Sequence, residues 1–186
     1  MWSYYGSKRS LAKYYPYPRY KQIIEPFAGA AAYYLCHCLC DVLLVDKYEV
    51  VVKLWKWLQK CEPEDILRLP RLKEGERVSE LVLDEEPALL IGFMAMSGRE
   101  SPRDRYCVRH TMRPHYANST LHFIARNLYK IRHWQIVYDD YRNLSNRQAA
   151  WFIDPPYQHG GEYYVMNNKG WDYGELANWC QARPGR

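Results

Sequence analysis

Chemistry is most sharply written at Asp154-Pro155-Pro156-Tyr157, which closes an apolar run through Trp151, Phe152 and Ile153. Two prolines fix their own φ and remove two backbone donors. What remains is a rigid turn of carbonyl acceptors between a carboxylate and an aromatic ring. Such a turn suits a planar amino group carried on a ring, of the kind adenine bears. One amino proton would go to Asp154 and the other to the Pro155 carbonyl. Both bonds favour a tetrahedral nitrogen and free its lone pair from the ring, while Tyr157 stacks on the base face. The other reading is a tight loop whose Asp caps a helix.

Two further groups fall where an open α/β sheet would present them. Glu25-Pro26-Phe27-Ala28-Gly29-Ala30-Ala31 lies at a strand-to-helix junction, where small residues let a ligand approach the backbone. It lacks the spacing of a dinucleotide fingerprint. Asp46 ends a second apolar run, 17 residues after Gly29. An acid there binds a ribose hydroxyl pair or caps the helix that starts near Glu49.

The elements that must hold these groups follow from hydrophobic periodicity. Strands are expected at Lys21–Glu25, Asp41–Asp46, Trp134–Tyr138 and Ala149–Asp154, each short, apolar and suited to burial on both faces of a parallel sheet. Helices are expected at Ala28–Leu39, Glu49–Lys60, Glu85–Met96, Asn118–His133 and Asp172–Gln181. The alternation gives an α/β fold with an open sheet. The stretch from Pro63 to His133 interrupts it. This predicts a mostly helical insertion over 63–133, with 1–62 and 134–186 forming the remaining domain. Within the insertion, Arg99, Arg103, Arg105, Arg109, His110, Arg113 and His115 make a basic segment. It either holds phosphates, reaches guanine edges or forms a solvated loop.

In this order the blocks resemble those of the Dam-type, α-ordered DNA adenine-N6 methyltransferases. Tyr4-Tyr5-Gly6-Ser7-Lys8 looks like the family's N-terminal block, Glu25 to Gly29 like its cofactor loop, Asp46 like its ribose acid, and Asp154 to Tyr157 like its catalytic block. Asp140-Tyr141 is similar to the acidic-aromatic pair near the cofactor adenine. Tyr4 stands where the family often has Trp, Ser7 where Gly is usual, and Ala30-Ala31 where a small polar residue or glycine is common. The resemblance implies a Rossmann-like methyltransferase fold with S-adenosylmethionine as cofactor. Tyr4, Lys8, Pro26, Phe27, Ala28, Gly29, Asp46, Asp140 and Asp154 would bind it, and Asp154, Pro155, Pro156 and Tyr157 would be catalytic. The partner would be double-stranded DNA, contacted by Arg99, Arg103, Arg105, Arg109 and Arg113. The target adenine would leave the duplex, and neither a metal nor a covalent enzyme intermediate is needed. An RNA amino-methyltransferase shares the Asp-Pro-Pro-Tyr turn, and a DNA-binding remnant without turnover is the alternative from another class.

Composition bounds the rest. The chain has 186 residues, a net charge of +5, 48% hydrophobic residues and 16% aromatic residues. That is globular, and the modest positive charge permits a polyanionic partner without demanding one. No apolar run reaches the roughly 20 residues of a spanning helix. Met1–Arg9 lacks the pattern of a signal peptide, so a cytoplasmic setting with reduced cysteines is expected. Cys36-His37-Cys38-Cys40 lacks the paired spacing of a structural zinc site, so no metal is expected. Tyr14 to Tyr20 either stacks on nucleic acid or packs on the sheet. Finally, the family's sheet has seven strands, three of them after the catalytic block, whereas Arg183-Pro184-Gly185-Arg186 reads as a turn into a further strand. The expectation is a shortened chain in which Leu176 and Trp179 lose packing, the fourth strand becomes an exposed apolar edge, and solubility or activity is low.

Overall fold

A computed structural model describes residues 1–36, 40–107, 116–166 and 169–184. The chain forms two compact units, Met1–Ser7 with Lys53–Arg132, and Lys8–Val52 with His133–Arg186. The division falls inside a helix at Lys53 rather than at residue 63, and the first seven residues go with the helical unit.

The unit built on Lys8–Val52 carries the sheet. Its strands are β1 (Gln22–Glu25), β2 (Asp41–Asp46), β3 (Gln135–Tyr138) and β4 (Ala150–Trp151). All pairings are parallel, in the order β3-β2-β1-β4. This open α/β arrangement is compatible with a Rossmann-like fold. The register places Ile23 and Ile24 of β1 beside Val42 and Leu43 of β2, and beside Ala150 and Trp151 of β4. Ile24, Leu43, Val45, Ala149 and Trp151 form a buried cluster, with Leu144, Ile153 and Trp179 packed against it.

Several expectations are corrected here. Over the described part of 28–39 there is no α-helix, only a 3-10 turn at Tyr34–Cys36. Gly29 and Ala31 both have φ +43°, a left-handed backbone that α-helical hydrogen bonding does not tolerate. Strand β4 is two residues long instead of six, although the Phe152 amide still donates to the Ile24 carbonyl at 3.0 Å. Beyond it the two prolines supply no donor to continue the ladder. Strand β3 is not buried on both faces, since Val137 is 37% and Tyr138 57% exposed. Leu176 and Trp179 keep their packing. Leu176 is buried, and the Trp179 ring meets Trp151 at 5.5 Å and Tyr141 at 5.1 Å, both edge-on. Apolar exposure at the sheet rim thus falls on β3, while Trp151 of β4 is covered.

The helical unit takes in the C-terminal part of α1 (Glu49–Leu58), then α2 (Pro63–Leu67), α3 (Glu85–Ala95) and α4 (Tyr116–Ile131). After its acidic first turn at Glu85 and Glu86, helix α3 is apolar all round and buried through Leu90, Ile91, Phe93, Met94 and Ala95, as a helix segment without a polar face must be. Leu121, Ile124, Leu128 and Ile131 make the buried stripe of α4. Trp2 completes this core, its ring 5.0 Å from Trp55 and 5.7 Å from Phe93. The last helix, α5 (Tyr173–Gln181), belongs to the sheet unit, and Asp172 caps it by accepting from the Glu175 amide at 2.9 Å. Among the described residues, no helix is long and apolar enough to cross a membrane.

Candidate active site

In the order β3-β2-β1-β4, successive strands step outward from β1 on one side, and β4 then returns to the other side of β1. Ligands of open α/β sheets bind outside the carboxyl ends of the strands at such a reversal. Here the loops after β1 and β4 flank it. They are the segments that carry Pro26 to Ala31 and Asp154 to Tyr157.

After β4 the Asp154 carboxylate receives the Lys8 ammonium, with Nζ 2.7 Å from both Oδ1 and Oδ2. Lys8 also donates to the Tyr157 hydroxyl, and its Nζ stands 4.8 Å from the Tyr157 ring centre. Only 17% of the Lys8 side chain and 23% of that of Asp154 are exposed. Burial raises the Asp154 pKa, and the Lys8 bond and charge oppose this without cancelling it. Burial acts to lower the Lys8 pKa, but the bonds to Asp154 and Tyr157 outweigh it and the amine is held above its ordinary value. The Pro156 carbonyl accepts from the Tyr173 hydroxyl at 3.1 Å. Within the described residues, the Pro155 carbonyl has no donor.

After β1 the chain turns sharply. The Ala28 amide donates to the Val45 carbonyl at 3.0 Å, which ties the loop to the end of β2. The Gly29 amide donates to Asp46 Oδ2 at 2.9 Å, and Asp46 Oδ1 accepts from the Tyr48 amide at 2.8 Å. Asp46 thus bonds the backbone just ahead of α1, close to the capping role, and it pins the loop after β1, which neither reading anticipated. A carboxylate has about four acceptor positions, so capacity remains for hydroxyls. Burial pushes its pKa up to about 6 against the lowering effect of the Gly29 and Tyr48 amides. Pro26 and Ala28 are buried, and the Phe27 ring lies 5.2 Å from Tyr141 and 5.8 Å from Trp171.

Glu25 joins this edge; it opens the block likened to a cofactor loop but was not among the residues expected to bind. It is 3% exposed and its Oε2 has no hydrogen-bond partner. Burial, then the Asp154 and Asp46 charges, hold its carboxyl well above the usual range. The signal available in sequence was a lone acid between Ile24 and Pro26 at the end of an apolar strand.

The structure brings together Lys8, Asp154 and Tyr157, and separately Gly29 and Asp46. Asp140 is occupied otherwise. Its carboxylate accepts from Lys47 Nζ at 2.7 Å and from the Arg142 amide at 3.1 Å. Burial acts to raise its pKa, but these bonds win and keep it below the ordinary value. The Tyr4 ring meets Phe93 edge-on at 5.7 Å, in the helical unit. In the aromatic segment 14–20, Tyr15 is structural, its ring 5.3 Å from Phe152 and 6.1 Å from Tyr33. Arg99, Arg103 and Arg105 line one cavity of the helical unit. Arg109, His110, Arg113 and His115 lie outside the described residues, as do His37 and Cys38. No protein-family model matches the chain, and no curated protein is significantly similar to it.

Proposed function

We propose that this chain is an S-adenosylmethionine-dependent methyltransferase acting on the exocyclic amine of adenine in double-stranded DNA. One observation carries the reading. A partly buried carboxylate at the sheet reversal grips an amine nitrogen at 2.7 Å from both oxygens, with a tyrosine ring 4.8 Å from that nitrogen. The amine is Lys8, and in this reading a substrate amine takes its position once the lysine gives way.

The residues fit the cofactor through Asp46, whose spare acceptor capacity suits a ribose hydroxyl pair, and through the turn at Gly29, where the absence of a Cβ leaves the backbone approachable. When bound, S-adenosylmethionine supplies a methyl group made electrophilic by its sulfonium. Asp154 accepts one proton of the substrate amine and the Pro155 carbonyl accepts the other, which holds the nitrogen pyramidal with its lone pair outward. Asp154 is also the acceptor for the proton that the amine sheds once it becomes positively charged. Tyr157, 37% exposed, offers a ring face to the extruded base. Fixing two reactants in line supplies on the order of 7–11 kcal/mol.

The test is transfer of labelled methyl from S-adenosylmethionine to duplex DNA, with structured RNA as a parallel substrate. Sequencing host DNA for N6-methyladenine after expression reports the site. Asp154→Ala should abolish transfer and leave cofactor binding measurable. Full activity in that variant, or transfer to RNA alone, overturns the proposal.

A further inference from the structure

The helical unit contains a cavity of about 400 Å³ lined by Met96, Arg99, Arg103, Asp104 and Arg105. Its walls are backbone fixed on two sides. On one, the Arg103 amide donates to the Gly92 carbonyl of α3 at 2.9 Å and the Cys107 amide to the Ala95 carbonyl at 3.1 Å. On the other, the Gly75 amide donates to the Tyr106 carbonyl at 3.2 Å and the Val78 amide to the Asp104 carbonyl at 2.7 Å, with Arg77 and Arg105 bridged antiparallel. Gly92 permits this closeness, since a Cβ there would stand 2.7 Å from Pro102 Cβ and 3.2 Å from the Arg103 carbonyl. The Arg99 backbone is anchored too, its carbonyl accepting from the Tyr5 amide at 3.2 Å, and Ser3 Oγ accepting from the Gly98 amide at 2.8 Å.

The charges within this frame are unequally matched. Asp104 is committed to the Ser79 amide at 2.8 Å and to Arg77 at 3.1 Å. Arg103 pairs with Glu100 at 2.5 Å, yet its Nε is buried without a hydrogen-bond partner. Among the described residues, no carboxylate pairs with the Arg99 or Arg105 guanidinium. Two unpaired guanidinium groups and an orphaned N–H around a preformed cavity call for an oxyanion. The volume exceeds that of a bare phosphate, and Met96 gives it an apolar wall that a sugar would cover.

We propose that this cavity seats one backbone phosphate of a polynucleotide, with the adjoining sugar against Met96 and the arginines reading charge instead of base edges. The proposal deepens the nucleic-acid part of the function proposed above and rests on it. The seat is independent of base identity, so its loss weakens every sequence alike and lowers the salt dependence of binding.

The experiment titrates the full chain with a fluorescent abasic deoxyribose-phosphate oligomer and with inorganic pyrophosphate, over a range of potassium chloride concentrations. The variants are Arg99→Ala/Arg105→Ala, the charge-retaining Arg99→Lys/Arg105→Lys, and a control, Arg68→Ala/Arg126→Ala, which removes the same charge from exposed positions outside the cavity. The alanine pair should weaken oligomer binding at least about tenfold and reduce the slope of log K against log salt by about 1. The lysine pair should retain part of both, and the control should change neither comparably. Equal losses in the control and the alanine pair overturn the proposal. So does pyrophosphate binding as tightly as the oligomer, which would mark a free-anion site. So does a loss confined to particular base sequences in native DNA, which would mark base readout. S-adenosylmethionine binding and methyl transfer are measured on the same proteins. Backbone binding through the arginines without any transfer removes the proposed reaction and keeps the seat. Unchanged binding in the alanine pair with transfer intact removes the seat and keeps the reaction.

Discussion

At the carboxyl edge of the sheet, Glu25, Asp46 and Asp154 are acids in wholly or partly buried positions, and burial raises the pKa of all three. In the helical unit, Arg99 and Arg105 bear cations that no described carboxylate neutralises. The difference is one of control. A buried carboxylate changes state with pH and with what binds beside it, as suits chemistry on an amine. A guanidinium near solvent keeps its charge and answers to ionic strength, as suits holding a polyanion.

The comparison breaks first at Asp154. Asp154→Asn keeps the shape and removes the charge, and methyl transfer should fall about 10²–10³-fold, the scale for losing one preorganised electrostatic group. Single-turnover kinetics with saturating cofactor would measure this, and a loss below tenfold would make the turn merely structural.

Next comes the pH response of Asp46. Its carboxyl ionises less readily in the folded chain, near 6 against an ordinary 3.8. Its contribution to folding stability therefore falls as pH rises from 3.8 to about 6 and is flat above. Cofactor binding should move the opposite way, weakening about tenfold per pH unit below 6 as the acceptor is protonated. Calorimetric titration across pH 5–8 should reveal this slope, while oligomer binding at the arginine cavity stays level over the same range and responds to salt. Equal pH dependence at both sites would erase the contrast.

A smaller effect is expected at Lys8. Lys8→Gln leaves the burial of Asp154 unopposed in the free enzyme, so the Asp154 pKa rises further and the acidic limb of the kcat/KM profile moves to higher pH. An unmoved limb would show that the ammonium does not set the state of Asp154.

The smallest effect tests the backbone. Ala31 is buried at φ +43°, where an L-residue is strained by roughly 1–2 kcal/mol. Ala31→Gly relieves that strain but loses a buried methyl and adds unfolded-state freedom, so the net change should stay within about 0.5 kcal/mol of zero. Ala28→Gly, at a buried position with no strain to relieve, should cost about 1–2 kcal/mol. Paired denaturant melts would separate the two.

Much of the sheet was legible in the sequence. Asp41–Asp46 forms the expected strand to the residue, and β1 and β3 begin within one residue of expectation. Apolar runs flanked by turn residues carry that information locally. The helix expected after β1 was not legible as a turn, because its break depends on Asp46 accepting the Gly29 amide from 17 residues away. Exposure of β3 was equally hidden, since Ile136 and Val137 look the same in a central strand and in an edge strand.

The candidate site divides the same way. Residue type and spacing alone determined that a carboxylate precedes a rigid diproline turn and a tyrosine, that an acid closes the second strand, and that arginines cluster after Met96. Those are properties of covalent neighbours and of local φ. Only the tertiary structure decided that Lys8 reaches Asp154 across 146 residues, that Glu25 is buried beside two other acids, and that Gly92 lets the 102–107 segment close a basic cavity on α3. Burial and long-range charge act through space, and no spacing rule in one dimension encodes them.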